Sequence, residues 1–325
     1  MNSGGAPGPL PVTIIGGYLG AGKTTLVNHL LRERDGKRIA VLVNDFGELA
    51  IDDDLIESTE GGVMRLAGGC VCCSFGNDLM AALMDMPKML PRPDHIVLET
   101  SGVALPGAVA RTLRLLPALV LDAVVVLADA ETMRKRANDP YVGDTVLQQL
   151  RDADLLVLNK VDLVNASTLG TTTTWLRQIA PSARILPAAQ ARLPLAVVMG
   201  TALASVRVAS ASGMLHGPTS GPPTLRADEL FDSLSIEFDH AVDCAALANA
   251  LSAPDLQLVR AKGVMRNRDG RPCALQVVGA RSAVSASRHL RPEQGRLVCI
   301  ALRGQLDRDR VHGVLRSMRV AAVAG

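Results

Sequence analysis

Three of the chain's six cysteines fall within four residues, at Cys70, Cys72 and Cys73 in the stretch RLAGGCVCCSFGND. Thiolates bind soft or borderline metal ions, Zn²⁺ first and Co²⁺ where the geometry suits it. The C-x-C-C spacing offers an ion two or three thiolates and leaves room for water or an outside ligand, which predicts an exchangeable site rather than a closed structural one. A redox pair of Cys70 with Cys73, or simple burial of the thiols, are the alternatives.

A second segment, GYLGAGKT at residues 17–24, fits the phosphate-binding pattern G-x4-G-K-[ST]. Its glycines allow backbone N–H groups to curl around phosphate oxygens. The pattern predicts that Lys23 reaches the β- and γ-phosphates of a nucleotide and that the Thr24 hydroxyl binds Mg²⁺. The residues expected around the phosphates are Gly17, Gly20, Ala21, Gly22, Lys23, Thr24 and Thr25.

The NKVD segment at residues 159–162 indicates which base the nucleotide carries. A carboxylate can accept hydrogen bonds from both N1–H and the 2-amino group of guanine, and adenine does not offer this pair of donors. We expect Asp162 to read the base, the aliphatic stem of Lys160 to cover its flat face, and Asn159 to tie neighbouring loops together. Together with the phosphate loop, the segment predicts GTP rather than ATP.

Two further segments, VNDFGE at residues 43–48 and ETSG at residues 99–102, follow apolar runs. Carboxylates at the carboxyl ends of parallel strands lie in the crevice where ligands bind. We expect Asp45 to orient the attacking water or hold Mg²⁺ through water, Glu99 to act on the Mg²⁺ side, and the Gly102 N–H to sense the γ-phosphate. The alternative is that each carboxylate only caps the segment after it. Without an arginine or glutamine that the sequence places at the site, we expect slow turnover.

The elements that position these residues are visible as short, continuous apolar runs, which are typical of strands buried on both faces of a parallel sheet. They lie at residues 11–17, 38–44, 95–101, 122–129 and 154–160. Helix-like segments lie at residues 23–34, 77–90, 106–116, 142–151 and 167–180. The alternation predicts an α/β fold over residues 11–205, a P-loop GTPase domain whose mostly parallel sheet is flanked by helices.

The segments outside residues 11–205 differ in composition and in the order of their predicted elements. Residues 1–10 are expected to form a flexible leader, and the Gly/Pro/Ser-rich residues 206–228 a linker. Residues 229–322 are expected to form a smaller α+β domain, because its elements cluster instead of alternating. Its predicted strands are residues 234–239, 256–266, 273–279 and 296–302, and its predicted helices are residues 241–252 and 307–319. The isolated cysteines are expected to be small core hydrophobes: Cys244, Cys273 and Cys299.

Composition excludes several classes of function. Hydrophobic residues make up 48% of the chain and aromatic residues only 2%, so stacking platforms for single-stranded nucleic acid are not expected. The formal net charge of +2 offers no electrostatic attraction for nucleic acid or an acidic membrane. No apolar run reaches the roughly 18 residues of a membrane span, and the N-terminus lacks the features of a signal peptide. We therefore expect a cytoplasmic protein with reduced thiols, which disfavours a disulfide at residues 70–73.

The motifs taken together resemble one family. In this order, GGYLGAGKTTL, VNDFGE, GGCVCC, ETSGVALP and NKVD look like the CobW-type metal-chaperone GTPases, which are relatives of the HypB and UreG nickel-insertion GTPases. The segments LVRAKGVMR (258–266), RLVCIALRG (296–304) and LDRDRV (306–311) are similar to the CobW C-terminal domain. The resemblance covers nearly the whole chain.

This resemblance implies a slow GTPase that carries Zn²⁺ or Co²⁺ on Cys70, Cys72 and Cys73 to a client protein or into cobalamin synthesis. It also implies that Glu48 is a possible additional metal ligand. The client is not identified by the sequence, and both a monomer and a dimer formed with nucleotide or metal are consistent with the family.

The sequence departs from the family pattern at two positions. The usual Ala-Asp-Pro after the ETSG segment is Ala104-Leu105-Pro106 here, so an aspartate is absent, and Val43 stands where some members have a glutamate. The linker holds a single histidine, His216, whereas many members have a histidine-rich loop there. A large-capacity metal store is therefore not expected.

Our hypothesis for the mechanism is that GTP and Mg²⁺ order Asp45, Glu48 and the cysteine segment into one metal site, which opens after hydrolysis. Two other functions fit the same motifs. A P-loop kinase acting on a small molecule would need an acceptor pocket and would favour ATP. A regulatory GTPase with a purely structural zinc would unfold when the zinc is chelated.

Overall fold

The computed structural model describes residues 8–34, 36–43, 63–65, 77–200, 230–286 and 294–320. The chain divides into two compact units, residues 1–199 and residues 200–325. Several predicted features lie outside the described residues: Asp45, Glu48, Cys70, Cys72, Cys73 and the linker at residues 206–228.

The first unit is built on a seven-stranded sheet in which every pairing is parallel. Its strands are β1 (Leu10–Gly17), β2 (Ile39–Val43), β3 (Val63–Arg65), β4 (His95–Glu99), β5 (Leu119–Asp129), β6 (Leu155–Asn159) and β7 (Arg184–Ala188). They are arranged in the order β3-β2-β4-β1-β5-β6-β7. The chain fills one side of β1 before it crosses to the other side, so the order reverses beside β1. Ligands of open α/β sheets bind at such a reversal, outside the carboxyl ends of the strands.

Helices lie in the described connections between these strands, as parallel pairing requires, and one more helix follows β7. They are α1 (Lys23–Arg32), α2 (Asn77–Asp85), α3 (Pro106–Leu113), α4 (Met133–Ala137), α5 (Gly143–Arg151), α6 (Ala166–Ile179) and α7 (Leu195–Met199). The central strands carry continuous aliphatic residues because both faces of the sheet are covered: every residue of β2, β4 and β6 is buried. Burial of this aliphatic surface stabilises the unit by roughly 25 cal/mol per Å².

The second unit contains a separate five-stranded sheet in which every pairing is antiparallel. Its strands are β8 (Phe231–Phe238), β9 (Leu258–Arg266), β10 (Pro272–Val278), β11 (Arg281–Ala286) and β12 (Gly295–Leu302), in the order β11-β10-β9-β12-β8. Two helices, α8 (Cys244–Leu251) and α9 (Arg308–Ser317), contribute to its core, and each begins at an aspartate whose side chain accepts a backbone N–H of the first turn. These N-caps, Asp243 and Asp307, fix where the helices start.

The isolated cysteines are buried, as predicted, but two of them do more than fill space. Cys244 at the start of α8 and Cys273 in β10 form a disulfide, so the expectation of reduced thiols is wrong for these two residues, which folding brings together from 29 positions apart in the chain. Cys299 in β12 is a buried free thiol. The disulfide closes a loop across the two layers of the second unit.

The predicted fold class is confirmed: a helix-flanked parallel sheet precedes an antiparallel α+β unit. All predicted strands and helices within the described residues are present, with ends shifted by a few residues. The elements that the sequence analysis missed are all short or edge elements: β3, α4, β7, α7 and β11. Among the described residues, no helix combines the length and hydropathy needed to cross a bilayer.

Candidate nucleotide site

The phosphate loop runs from the end of β1 to the start of α1, and two of its glycines combine a positive φ angle with no room for a side chain. Gly17 and Gly22 have φ angles of 131° and 102°, in the region that favours glycine. A Cβ at Gly17 would lie 2.3 Å from Leu127 O, and a Cβ at Gly22 would lie 2.5 Å from Asn159 Nδ2. The loop is therefore held close to the ends of β5 and β6, and it leads directly into the N-terminus of α1, the end of a helix that favours anions.

Thr24 and Glu99 meet at the carboxyl ends of β1 and β4. The Thr24 hydroxyl donates to Glu99 Oε1 at 2.9 Å, and Glu99 is 5% exposed. Lys23 Nζ donates to Tyr18 O at 3.4 Å, so its side chain folds back over the loop that it follows. The hydrogen bond between Thr24 and Glu99 joins the predicted Mg²⁺ ligand to the predicted acidic residue on the Mg²⁺ side.

The oxygen atoms of Thr24 and Glu99 are the kind of donors that Mg²⁺ takes in nucleotide sites, a hydroxyl and a carboxylate. Because they already lie within hydrogen-bond distance of one another, this pair fits a magnesium ion. When bound, a magnesium ion would supply positive charge that neutralises the phosphates.

Asn159 connects the two halves of the site. Its Nδ2 donates to Ala21 O in the phosphate loop at 2.9 Å, and its Oδ1 accepts from Ala191 N after β7 at 2.8 Å. The side chain is 2% exposed, so both amide atoms need such partners. Asp162 lies just beyond, in a short 3₁₀ turn at residues 161–163, and is exposed. A carboxylate thus stands open to solvent beside the anchored loops.

The loop after β4 borders the phosphate loop. Thr100 N donates to Ile15 O at 2.9 Å, which extends the β1 edge by one residue. A Cβ at Gly102 would lie 2.4 Å from Leu19 Cδ2 and 2.9 Å from Leu19 N. The absence of a side chain at Gly102 therefore permits the close approach of these two loops.

Three residues near the site were not found by the sequence analysis. Asp129 at the end of β5 forms an ion pair with Lys160. Its position at the end of a buried strand could have indicated a residue of the site. Gln149 in α5 donates to carbonyls of the loop after β4, and no local motif marks it. The Arg136 guanidinium lies 5.5 Å from the centroid of the Tyr18 ring, a cation–π distance.

The structure therefore brings together the phosphate loop, Glu99, Gly102 and the residues predicted to read the base. The predicted residues Asp45, Glu48, Cys70, Cys72 and Cys73 lie outside the part that it describes. Within the described ranges, no group of three His, Cys, Asp or Glu side chains is arranged to hold a metal ion.

Comparison with known proteins decides the family. The model of the CobW/HypB/UreG nucleotide-binding domain matches residues 11–187, more than half of the chain. The chain belongs to the CobW/HypB/UreG family. The model of the cobalamin synthesis protein CobW C-terminal domain matches residues 231–319. The family resemblance drawn from the motifs is confirmed.

Relatives within the CobW/HypB/UreG family carry names that describe zinc handling. The protein named zinc chaperone CobW from Sinorhizobium sp is 29% identical over 307 residues, covering 84% of this chain and 86% of its own length. Zinc chaperone YjiA from Escherichia coli is 37% identical over 163 residues, covering 48% of this chain and 50% of its own length. The crystal structure of Zn(II)-bound YjiA GTPase from E. coli covers 97% of this chain and 100% of its own, at 24% identity and a TM-score of 0.44.

Proposed function

We propose that this protein is a GTP-hydrolysing metallochaperone, which binds Zn²⁺ or Co²⁺ as cargo at Cys70, Cys72 and Cys73 and releases it to a client protein after hydrolysis. Membership of the CobW/HypB/UreG family supports the proposal, as do the names of the relatives, zinc chaperone and zinc-regulated GTPase metalloprotein activator. We also propose that the protein is cytoplasmic and that the metal passes either to a client protein or into cobalamin synthesis.

Nucleotide binding is best supported by the side chain of Asn159, which forms hydrogen bonds to two loops at once. One side chain holds the phosphate loop at Ala21 and the loop after β7 at Ala191. This fixes the distance between the groups that would contact the phosphates and Asp162, which would contact the base. The arrangement supports a nucleoside phosphate as the ligand, and the carboxylate of Asp162 favours guanine because it accepts hydrogen bonds from both N1–H and the 2-amino group of that base.

The candidate site residues have distinct roles in the proposed hydrolysis of GTP to GDP and phosphate. Lys23 leaves Tyr18 O, which is a weak partner at 3.4 Å, to contact the β- and γ-phosphates. Gly102 presents its N–H to the γ-phosphate from the loop beside Leu19. Asp45 orients the attacking water, while Thr24 and Glu99 are the residues that would hold Mg²⁺. These groups position the reactants and neutralise negative charge, and none of them forms a covalent bond to the phosphate, as is usual in phosphoryl transfer.

The sheet order supports a link between the nucleotide and the cysteines. β3 ends at Arg65, and it is the neighbour of β2, which in turn pairs with β4 and therefore with the end that carries Glu99. Parallel strands are about 4.8 Å apart, so the carboxyl end of β3 lies roughly 10 Å from that of β4. Cys70 follows Arg65 by five residues, a chain length that spans at most about 17 Å. By chain length alone, the proposed metal-binding segment is thus within reach of the edge of the sheet that carries Glu99.

Metal binding should depend on GTP because Asp45 and Glu48 come soon after β2 in the chain, and β2 is the strand between β3 and β4. Contacts of these residues with Mg²⁺-GTP would order the segment and bring the thiolates together. Loss of the γ-phosphate removes those contacts and lets the thiolates separate. At the level of binding, the coupling is reciprocal, so metal also tightens GTP.

Cobalt spectroscopy tests the cargo site. Wild-type protein loaded with a non-hydrolysable GTP analogue should show thiolate-to-cobalt charge-transfer absorption when titrated with Co²⁺, and the triple variant C70S/C72S/C73S should lack it. Cys299→Ser is the matched control, because Cys299 is a free thiol that is buried in β12 and the variant should keep the absorption. Equal absorption in the triple variant and the wild type would refute the site.

Two measurements separate the alternative functions. A small-molecule kinase should bind ATP at least as tightly as GTP, whereas the proposed chaperone should prefer GTP. A regulatory GTPase with structural zinc should lose its helical circular dichroism when the metal is chelated. The proposed carrier should instead keep its helical circular dichroism, because a carrier has to persist as a folded protein after it has released its metal.

A further inference from the structure

Gln149 reaches out of α5 to the loop that follows β4. Its Nε2 donates to Gly102 O at 3.0 Å and to Ala104 O at 2.8 Å, and the residue is 1% exposed. One buried amide group thus satisfies two carbonyls of the same loop. A conformation that moves either carbonyl away from Gln149 leaves buried polar atoms without a partner, which is costly.

The same end of α5 supplies a cap for α3. Leu105 occupies the N-cap position of α3, and its side chain makes no capping hydrogen bond. Asp152 Oδ2 accepts instead from the backbone N of Gly107, in the first turn, at 2.9 Å. A Cβ at Gly107 would lie 2.5 Å from Asp152 Cγ, so glycine makes this approach possible. Asp152 therefore provides, from another helix, the acceptor that a polar N-cap residue normally provides.

Both contacts hold a segment that meets the phosphate loop on its other side. Gly102 packs against Leu19, with 2.9 Å between the position of a Cβ and Leu19 N. Gln148 Nε2 in turn donates to Asp152 Oδ1 at 2.8 Å, which orients the capping carboxylate. The loop at residues 102–107 is thereby fixed between α5 and the phosphate loop.

We propose that Gln149 and Asp152 are positioning residues that hold the Gly102 N–H in place for a γ-phosphate before the nucleotide binds. The inference rests on the proposed GTP site. Because the loop at residues 102–107 is already held in place in the free protein, less conformational entropy is lost when a nucleotide binds. GDP has no group that reaches this loop, so the benefit is confined to GTP, and the two residues set the preference of the protein for GTP over GDP.

Nucleotide affinities of three variants test this inference. Gln149→Met keeps the length of the side chain and removes its donors, Asp152→Ala removes the cap, and Gln178→Met is the matched control on the exposed face of α6. Fluorescent GDP and a fluorescent non-hydrolysable GTP analogue are titrated with Mg²⁺ present. We expect Q149M and D152A to weaken the GTP analogue about tenfold and GDP by less than about twofold, while Q178M changes neither.

The same titrations distinguish a failure of the positioning role from a failure of the proposed GTP site. If the wild type prefers the GTP analogue and both variants keep that preference, or lose GDP and the GTP analogue equally, the positioning role is refuted although the GTP site stands. If the wild type binds neither nucleotide, the proposed function and this inference fall together. Should Q149M not fold, D152A decides alone, because Asp152 is only partly buried at the helix end.

Discussion

The Lys160 ammonium and the Asp129 carboxylate lie 2.7 Å apart between the ends of β6 and β5. Lys160 has a left-handed backbone conformation, with φ of 61°, and its side chain is 32% exposed. The other oxygen of Asp129 accepts from Glu131 N and Thr132 N, so the carboxylate is fixed by its own turn. The charged head of Lys160 is anchored in this way while its aliphatic stem is left to lie against a base.

Neutralising Asp129 should weaken nucleotide binding without disturbing the turn. Asp129→Asn keeps an oxygen for the two backbone N–H groups and removes the charge that holds Lys160. We expect the affinity for GDP and GTP to fall together by about threefold to tenfold, since part of the ion pair is screened by solvent. Asp139→Asn is the matched control, because Asp139 caps a similar turn at Tyr141 N and Val142 N. Unchanged affinity in D129N would contradict the anchoring role.

Asp162 should determine the base. Asp162→Asn replaces an acceptor of two hydrogen bonds by a group that can also donate, which suits the 2-oxo group of xanthine instead of the 2-amino group of guanine. We expect GTP affinity to fall about 100-fold and xanthosine triphosphate to bind more tightly than GTP. Competition of each nucleotide against a fluorescent analogue measures the affinities for GTP and for xanthosine triphosphate. A variant that still prefers GTP would show that another residue reads the base.

Gly22 should not tolerate a side chain. Gly22→Ala places a Cβ 2.5 Å from Asn159 Nδ2 and forces a left-handed conformation on alanine. We expect nucleotide binding to be lost and the thermal midpoint of the first unit to fall by several degrees, corresponding to roughly 1–3 kcal/mol.

The control for this substitution is Gly170→Ala on α6. A Cβ there meets nothing within 4 Å, and alanine favours the helix by about 1 kcal/mol over glycine. G170A should therefore be neutral or stabilising and bind nucleotide normally. A G22A protein that binds GTP like the wild type would contradict the described phosphate loop.

Cys299 should be unreactive, and the second unit should lose stability in alkali. Burial raises the pKa of the Cys299 thiol from 9.0 to about 12. Above pH 9 the unfolded chain releases this proton while the folded unit retains it, so the stability from this group is present below pH 9 and is lost progressively toward pH 12. Cys299→Ala should flatten the fall of the thermal midpoint between pH 9 and 11. Rapid alkylation of Cys299 in the native protein at pH 8 would contradict this account.

The sequence predicted the layers of the fold because continuous apolar strands and intervening helices leave a strong pattern. The missed elements lack that pattern for identifiable reasons. β3 has three residues and α4 and α7 have five each, too few for a period to emerge. β7 lies at a sheet edge and contains Pro187, which argues against a strand. Most residues of β11, another edge strand, are exposed, so they show no apolar alternation.

Candidate site residues could be named from the sequence where they belong to a local motif. Lys23, Thr24 and Asn159 are read from their own segments, and the structure places them at one edge of the sheet. Gln149 and Asp152 act through the packing of α5 against a loop some 45 residues earlier in the chain. Neither local spacing nor helix propensity reports such a contact. The disulfide between Cys244 and Cys273 is a similar case, because its partners become neighbours only in the folded second unit.

The affinity for metal in the two nucleotide states tests the central claim most directly. Zinc is titrated into the full-length protein against a colorimetric chelator, once with Mg²⁺ and a non-hydrolysable GTP analogue and once with Mg²⁺ and GDP. The account predicts tighter binding with the GTP analogue by at least about tenfold, a coupling of roughly 1.4 kcal/mol, and no such difference in C70S/C72S/C73S. Equal zinc affinities in the two states of the wild type would contradict it.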